Sequence, residues 1–206
     1  LGIFMVKKMS KSVYYRRDGD RNVLRETNAH SAYLNASNLK YVANPTLARE
    51  SAFTVELFVK ADGQQLEYAP IIRCSRAMND VSLPVWAMSF GIRKNVSTAD
   101  SSGKLRVRCS FPGNEYAVNQ DTKFAIDDGK WHHVALAMEP ATVRKDGVDT
   151  AGTKVSVWAD YSDEPQVWTY PETIDWGDGM ATIYVGRGVG ELPSFAGWVD
   201  ELRISR

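Results

Sequence analysis

The stretch "FTVELFVK", residues 53–60, places an apolar side chain at every second position. Consecutive side chains of a β-strand point to opposite faces of the sheet, so every second residue shares a face. One face would carry Phe53, Val55, Leu57 and Val59, and the other Thr54, Glu56 and Phe58. The stretch therefore predicts a β-strand whose apolar face lies in a core.

Other runs with β-strand character follow along the chain: "VWAMSFGI" (85–92), "KLRVRCSF" (104–111), "WHHVALAM" (131–138), "KVSVWADY" (154–161), "MATIYVGR" (180–187) and "GWVDELRIS" (197–205). Glycine-containing turn sequences separate them, such as "ADGQQ", "DDGK" and "KDGV". No segment keeps an apolar stripe of period 3.6 over three turns, and the one candidate for a helical turn is 45–51. Many strands joined by short turns predict an all-β protein, a two-sheet antiparallel sandwich or jelly roll.

The size and charge of the chain narrow its class. We expect residues 1–206 to form one domain, in which residues 1–25 are an N-terminal arm or an edge strand. The chain has 25 basic and 25 acidic side chains, and this balance argues against a nucleic-acid partner. No run of 18 apolar residues occurs, so we expect no membrane insertion. The abrupt ending "ELRISR" favours a domain of a longer multidomain chain.

The chain has two cysteines, Cys74 and Cys109. Two widely spaced cysteines supply neither a disulfide framework nor a zinc site. Each lies in a strand-like run on the same face as apolar neighbours, and cysteine behaves as a small hydrophobic residue. We therefore expect two buried free thiols, with a disulfide between them as the alternative.

Several segments follow one another in an order that resembles a known family. The order is "SAFTVELFVKAD", "DDGKWHHVALAME", "KVSVWADY", "ATIYVGRG" and "FAGWVDELRISR". It resembles the laminin-G-like domains of the concanavalin A-like lectin/glucanase superfamily over roughly residues 30–206. The resemblance implies two antiparallel sheets of about six or seven strands each, packed as a jelly roll.

The chain departs from the family pattern at three places. The aromatic residue of the family's "WVK" strand is a phenylalanine here, Phe58, and "DYSDEP" stands where the family has an Asp-Gly turn. Residues 139–153 form an insert that is longer than a tight turn needs.

The adjacent histidines His132 and His133 are the first candidates for a metal or catalytic site. Neighbouring residues of a strand point to opposite faces, so the two rings cannot easily hold one ion. We expect a structural role instead, in which Trp131 packs and one imidazole hydrogen-bonds a neighbouring backbone group.

Glycoside hydrolysis requires two carboxylates at a defined separation. The glucanases of the resembled superfamily carry them in an "ExDxE" strand, and this sequence contains no "ExDxE". We therefore expect no catalysis, while a glycoside hydrolase or lyase domain with an unrecognised site stays an alternative.

The resemblance also implies a metal. In many relatives the aspartate of the closing "IDE" strand binds a structural calcium ion together with backbone carbonyls, and Asp200 matches that position. The alternative is a partly buried aspartate that accepts backbone hydrogen bonds.

Three aromatic residues in the turn-rich segment 166–179 are candidates for binding a sugar ring: Trp168, Tyr170 and Trp176. A pyranose has an apolar face that stacks on aromatic rings and hydroxyls that need polar partners. Core packing is the alternative for each ring. We expect the chain to be a non-catalytic recognition module of a secreted or cell-surface protein. Carbohydrate is the leading candidate for its ligand. A protein-contacting adhesive or structural module is the second possibility.

Overall fold

The computed structural model describes residues 14–18, 21–26, 32–35, 52–75, 84–92, 101–111, 114–173, 182–186 and 194–205. Within these ranges every regular element is a β-strand. A search of the described residues for a helix long and apolar enough to cross a membrane finds none. The helical turn predicted at 45–51 lies outside them.

The described strands, numbered in chain order, are β1 (Tyr14–Asp18), β2 (Arg21–Glu26), β3 (Ala32–Asn35), β4 (Phe53–Ala61), β5 (Pro70–Ser75), β6 (Pro84–Ile92), β7 (Ser101–Phe111), β8 (Asn114–Ala125), β9 (His132–Lys145), β10 (Val148–Ala159), β11 (Gln166–Tyr170), β12 (Thr182–Val185) and β13 (Gly197–Ser205).

The strands form two antiparallel sheets. The seven-stranded sheet has the order β1-β2-β13-β4-β9-β10-β11, and the six-stranded sheet has the order β3-β12-β5-β6-β7-β8. β1 lies at one edge of the seven-stranded sheet and pairs with β2. The all-β class and the two-sheet sandwich predicted from the sequence are confirmed.

The core lies between the sheets. In β4 buried and half-buried side chains alternate along the whole strand, as the period of two predicts. Fully buried apolar side chains come from both sheets and include Val55, Leu57, Leu136 and Val157 from the first and Met88, Phe90, Leu105 and Val107 from the second. Burial of each such side chain stabilises the fold by about 1.5–3 kcal/mol.

Both cysteines are buried free thiols, as expected. Burial raises the pKa of the Cys74 thiol to about 12 and also raises the pKa of Cys109, whose Sγ lies 3.7 Å from Met138 Sδ. Both groups stay protonated at neutral pH and pack as small apolar side chains.

Residues 139–153 are not a long loop. They extend a hairpin in which β9 and β10 pair continuously from Val148 opposite Lys145 to Ala159 opposite Val134. Asp146 and Gly147 connect the strands with φ angles of 52° and 83°, the signs that a two-residue type I′ turn requires.

Candidate functional site

Strand β9 separates the two histidines as strand geometry predicts. His132 lies opposite Val59 and is buried on the core side, whereas His133 lies opposite Phe58 on the outer face of the seven-stranded sheet. The two rings therefore belong to two different clusters of side chains.

His132 bridges two aspartates from different turns. Its Nδ1 lies 2.8 Å from Asp160 Oδ2, after β10, and its Nε2 lies 2.8 Å from Asp128 Oδ1, before β9. The carboxylates also accept backbone amides, from Lys130 to Asp128 at 2.9 Å and from His133 to Asp160 at 3.1 Å. The expectation of a backbone partner for the imidazole is wrong for His132, whose partners are carboxylates.

The charges of His132 and its aspartate partners stabilise one another. Burial alone would lower the pKa of His132, but the hydrogen bonds and charges of Asp160 and Asp128 outweigh it and raise that pKa above its ordinary value. The hydrogen bond from His132, helped by the amide of Lys130, holds the pKa of Asp128 well below its usual range. The bridge thus favours an imidazolium between two carboxylates and fixes both turns.

Next to the bridge, an aromatic side chain faces solvent. Tyr161 is 69% exposed, and its ring stacks on the ring of His133 with the centroids 4.4 Å apart and the planes 4° apart. Phe58 supports His133 from β4 at 5.1 Å between centroids. We call Tyr161, His133, Phe58 and Glu56 the Tyr161 platform.

The backbone that presents Tyr161 is strained. Asp160 and Tyr161 both have positive φ, 53° and 57°. This left-handed conformation costs a residue with a Cβ roughly 1–2 kcal/mol, and Tyr161 stands where the resembled turn has glycine. Strain of this kind persists where the surroundings impose it, and here it directs an aromatic ring into solvent.

Polar groups lie under and beside the platform. His133 Nε2 lies 3.3 Å from Glu56 Oε2, and Glu56 Oε1 lies 3.6 Å from Arg203 Nη1. His133 Nδ1 is buried and finds no hydrogen-bond partner among the described residues. The proton is therefore best placed on Nε2, donating to Glu56, which leaves an acceptor rather than a donor unsatisfied.

Two of the three aromatic residues predicted to bind sugar, Trp168 and Tyr170, lie elsewhere. Trp168 and Tyr170 share a face of β11, are half-buried and pack against the core, where Phe111 contacts Tyr170 at 6.1 Å between centroids. Burial raises the pKa of Tyr170 to about 12. Trp176 lies outside the described residues. The packing alternative therefore describes the positions of Trp168 and Tyr170, and sugar binding by the three residues stays a prediction.

Sequence reasoning missed Tyr161. The available signal was the departure "DYSDEP", in which a tyrosine replaces the glycine of an Asp-Gly turn. A bulky residue at a position that prefers positive φ is unfavourable for folding, so it points to another use.

Asp200 is 6% exposed and lies opposite Phe58, just before the register of β13 shifts at Glu201. Its Oδ1 accepts a hydrogen bond from the amide of Glu201 at 2.8 Å. This is the kind of backbone hydrogen bond expected if Asp200 is a buried aspartate without a metal. The described residues contain no group of three or more His, Cys, Asp or Glu side chains that could hold a metal. One buried carboxylate fits calcium only together with backbone carbonyl oxygens, which are ordinary calcium ligands.

Strand order and core define this chain as a two-sheet jelly-roll sandwich domain. A laminin-G family model, described as the concanavalin A-like lectin/glucanases superfamily, matches residues 33–206. The chain belongs to this family, and the resemblance seen in its motifs is confirmed.

Solved structures are similar to this chain at low identity. A sialidase from Trypanosoma rangeli, in complex with a difluorinated keto-deoxy-nononic acid, has a TM-score of 0.57 and 15% identity over 93% of this chain. The match spans 26% of the sialidase, so this chain corresponds to about a quarter of that enzyme. An alginate lyase from a Chlorella virus has a TM-score of 0.49 and 12% identity, over 100% of this chain and 98% of the lyase. No curated protein matches the chain significantly.

Proposed function

We propose that this chain is a non-catalytic carbohydrate-recognition module of a secreted or cell-surface protein, and that it binds a pyranose ring on the Tyr161 platform. The observation that carries the proposal is the strained, exposed Tyr161 ring stacked on His133. The family to which the chain belongs includes lectins by its description, and the sialidase that shares the fold binds a sugar acid.

The platform suits a sugar because one ring face of Tyr161 lies on His133 while most of the side chain meets solvent. An aromatic ring that is already immobilised loses little conformational freedom when a ligand stacks on it. Glu56 lies beside His133, Arg203 lies beside Glu56, and the two offer an acceptor and donors for sugar hydroxyls.

The non-catalytic assignment is supported by the partners of the nearby carboxylates. Glu56 pairs with His133 and Arg203, and Asp160 pairs with His132 and the amide of His133. A glycosidase uses two carboxyl groups that flank the bond to be cleaved, whereas these two carboxylates are engaged by partners within the chain.

A glycan array with purified wild-type chain and two variants tests the proposal. Tyr161→Gly removes the ring and relieves the positive φ, so binding should fall about tenfold or more while stability is kept. Tyr161→Trp keeps an aromatic platform and should retain binding. Val148→Ala is the matched control, because Val148 is an exposed apolar residue at the far end of the β9–β10 hairpin.

Equal glycan binding by wild type and Tyr161→Gly would contradict the platform. The absence of binding to any glycan, with a well-folded chain, would favour the protein-contacting adhesive module. Catalytic turnover of a bound glycan by the wild-type chain would contradict the non-catalytic assignment.

We further propose that a structural calcium ion binds at Asp200, with backbone carbonyls completing its ligands. A ligand that binds only the folded state raises the melting temperature in proportion to the logarithm of its concentration. Calcium should therefore raise the melting temperature of the wild-type chain after treatment with a chelator, and Asp200→Asn should abolish the rise. A wild-type melting temperature that does not change with calcium contradicts this site.

A further inference from the structure

Two carboxylates are fixed next to the histidine of the Tyr161 platform. Asp160, one residue before Tyr161, keeps 54% of its side chain exposed, and its Oδ1 accepts the amide of His133 at 3.1 Å. Glu56 is 29% exposed, and its Oε2 lies 3.3 Å from His133 Nε2. His133 adds no positive charge when it donates from Nε2, because its buried Nδ1 has no acceptor within the described ranges.

The turn that carries Tyr161 adds two more acidic residues. Asp163 and Glu164 are exposed and follow Tyr161 by two and three residues. The turn is compact, because the amide of Ser162 donates to the carbonyl of Ala159 at 3.1 Å and the hydroxyl of Ser162 donates to the carbonyl of Glu164 at 3.4 Å. Neither acidic side chain has an ion-pair partner among the described residues. With the aspartate before Tyr161, the turn presents three carboxylates and one aromatic ring to solvent.

The cations near the platform are already paired with carboxylates. Arg203 Nη1 lies 3.6 Å from Glu56 Oε1, and Lys130 Nζ lies 3.0 Å from Asp128 Oδ2. His132 lies between Asp128 and a second aspartate. Each of these positive charges is balanced, whereas the acidic residues at the end of the turn are not, so the surface around the exposed ring carries net negative charge.

The ring of Tyr161 favours the same sign of ligand charge as the carboxylates. The face of an aromatic ring is electronegative, so it attracts a cation placed over it and repels an anion. One face of this ring lies on His133, and 69% of the side chain is exposed. An ammonium group therefore gains from the ring and from the turn, whereas a sugar carboxylate would lie among groups of its own sign.

We propose that the Tyr161 platform selects a cationic amino sugar over neutral and acidic sugars, with the ammonium group held by the Tyr161 ring and the carboxylates of the turn at 160–164. This inference rests on the proposed function, because it names the class of sugar that the same platform takes. An ammonium supplies three donors, and its hydrogen bonds to carboxylates are charge-assisted and stronger than those of a hydroxyl. A basic peptide shares the positive charge and is the competing ligand in the test.

Isothermal titration with three tetrasaccharides of equal length tests the selection by charge: glucosamine, its N-acetylated form and a uronic acid. At a pH that keeps the amine protonated, the wild-type chain should bind the glucosamine form about two- to fivefold more tightly than the N-acetylated form. The uronic-acid form should bind more weakly than either. Added salt should reduce the preference and leave binding of the neutral form unchanged, because salt screens charges at an exposed site.

Variants of the turn locate the charges that select the ligand. Asp163→Asn combined with Glu164→Gln should lower the affinity for the glucosamine form about two- to fivefold and leave the affinity for the N-acetylated form unchanged. Asp149→Asn is the matched control, because it removes an exposed carboxylate at the far end of the β9–β10 hairpin, and it should change neither affinity. Tyr161→Gly should weaken the binding of both forms.

Failure of the charge selection is distinguishable from failure of the sugar site. Equal or tighter binding of the uronic-acid form, or an unchanged preference in the folded double variant, overturns the selection, while binding of the N-acetylated form that depends on Tyr161 still supports the sugar site. Binding of the glucosamine form that persists in Tyr161→Gly would show attraction to the carboxylates alone and overturns the proposal. Oligolysine that binds as tightly as the glucosamine form would overturn the choice of a sugar. Failure of every glycan on the array to bind contradicts the sugar site as well.

Discussion

His132 joins two turns that are far apart in the chain, through Asp128 on one side and Asp160 on the other. Asp160 is followed directly by Tyr161, so the same bridge that closes the turn also holds the ring of the platform in place. The histidine bridge and the proposed sugar site therefore share the turn at Asp160.

The bridge predicts a pH-dependent contribution to stability. His132 has a raised pKa in the fold, so its contribution is complete below about pH 6.5, its unfolded value, and is lost as the pH rises through the folded value. Asp128 has a lowered pKa, so its contribution is present above about pH 4 and is lost in acid. His132→Gln should therefore lower the free energy of unfolding more at about pH 5.5 than at about pH 8.5.

Urea unfolding of wild type and His132→Gln at the two pH values measures this difference. Asp128→Asn removes the other charge of the pair and should show the same pH window. A loss that is equal at both pH values would mean that the imidazole is held as a neutral packing group.

At the scale of single residues, the sequence predicts faces better than partners. The period of two places His132 and His133 on opposite faces of one strand. The carboxylates that bind His132, and the Tyr161 ring that stacks on His133, come from turns whose positions depend on the whole sheet. The left-handed φ of Tyr161 accompanies those contacts, and the local sequence does not predict it.

At the scale of the element, the β9–β10 hairpin has one part that the sequence predicts and one part that it does not. Up to Met138 the strand has a core face, and its apolar alternation is readable. From Glu139 to Thr150 the side chains are exposed or half-buried, so the apolar pattern disappears although both strands continue. Only the Asp146-Gly147 turn marks this part of the hairpin in the sequence.

A substitution at Gly147 tests the conformational free energy of the backbone in this turn, separately from packing. Gly147 has a φ of 83° and a side chain added at this position would meet open space, so a substitution removes no packing. Gly147→Val should lower the free energy of unfolding by about 1–2 kcal/mol, because β-branched residues resist positive φ. Urea unfolding measures the change, with Val148→Ala as a neighbouring control that should stay within about 0.5 kcal/mol of wild type. A Gly147→Val chain as stable as the control would show that the turn does not hold the hairpin.

Over the whole molecule, the order of strands depends on pairings between distant parts of the chain. β13 lies between β2 and β4, and β12 lies between β3 and β5. Local alternation predicts the strands but not these neighbours. The resemblance to a known family supplied the two-sheet jelly roll, and the strand order comes from the structure. The same arrangement brings β4 and β9 side by side and so places Phe58 next to His133 in the Tyr161 platform, a relation that no single motif contains.

The most direct test of the proposed recognition role is isothermal titration of the strongest glycan from the array against wild type and Tyr161→Gly, with both chains shown to be folded. We predict measurable binding by the wild-type chain and a loss of about tenfold or more in Tyr161→Gly, restored in Tyr161→Trp. Unchanged affinity in Tyr161→Gly would contradict the account.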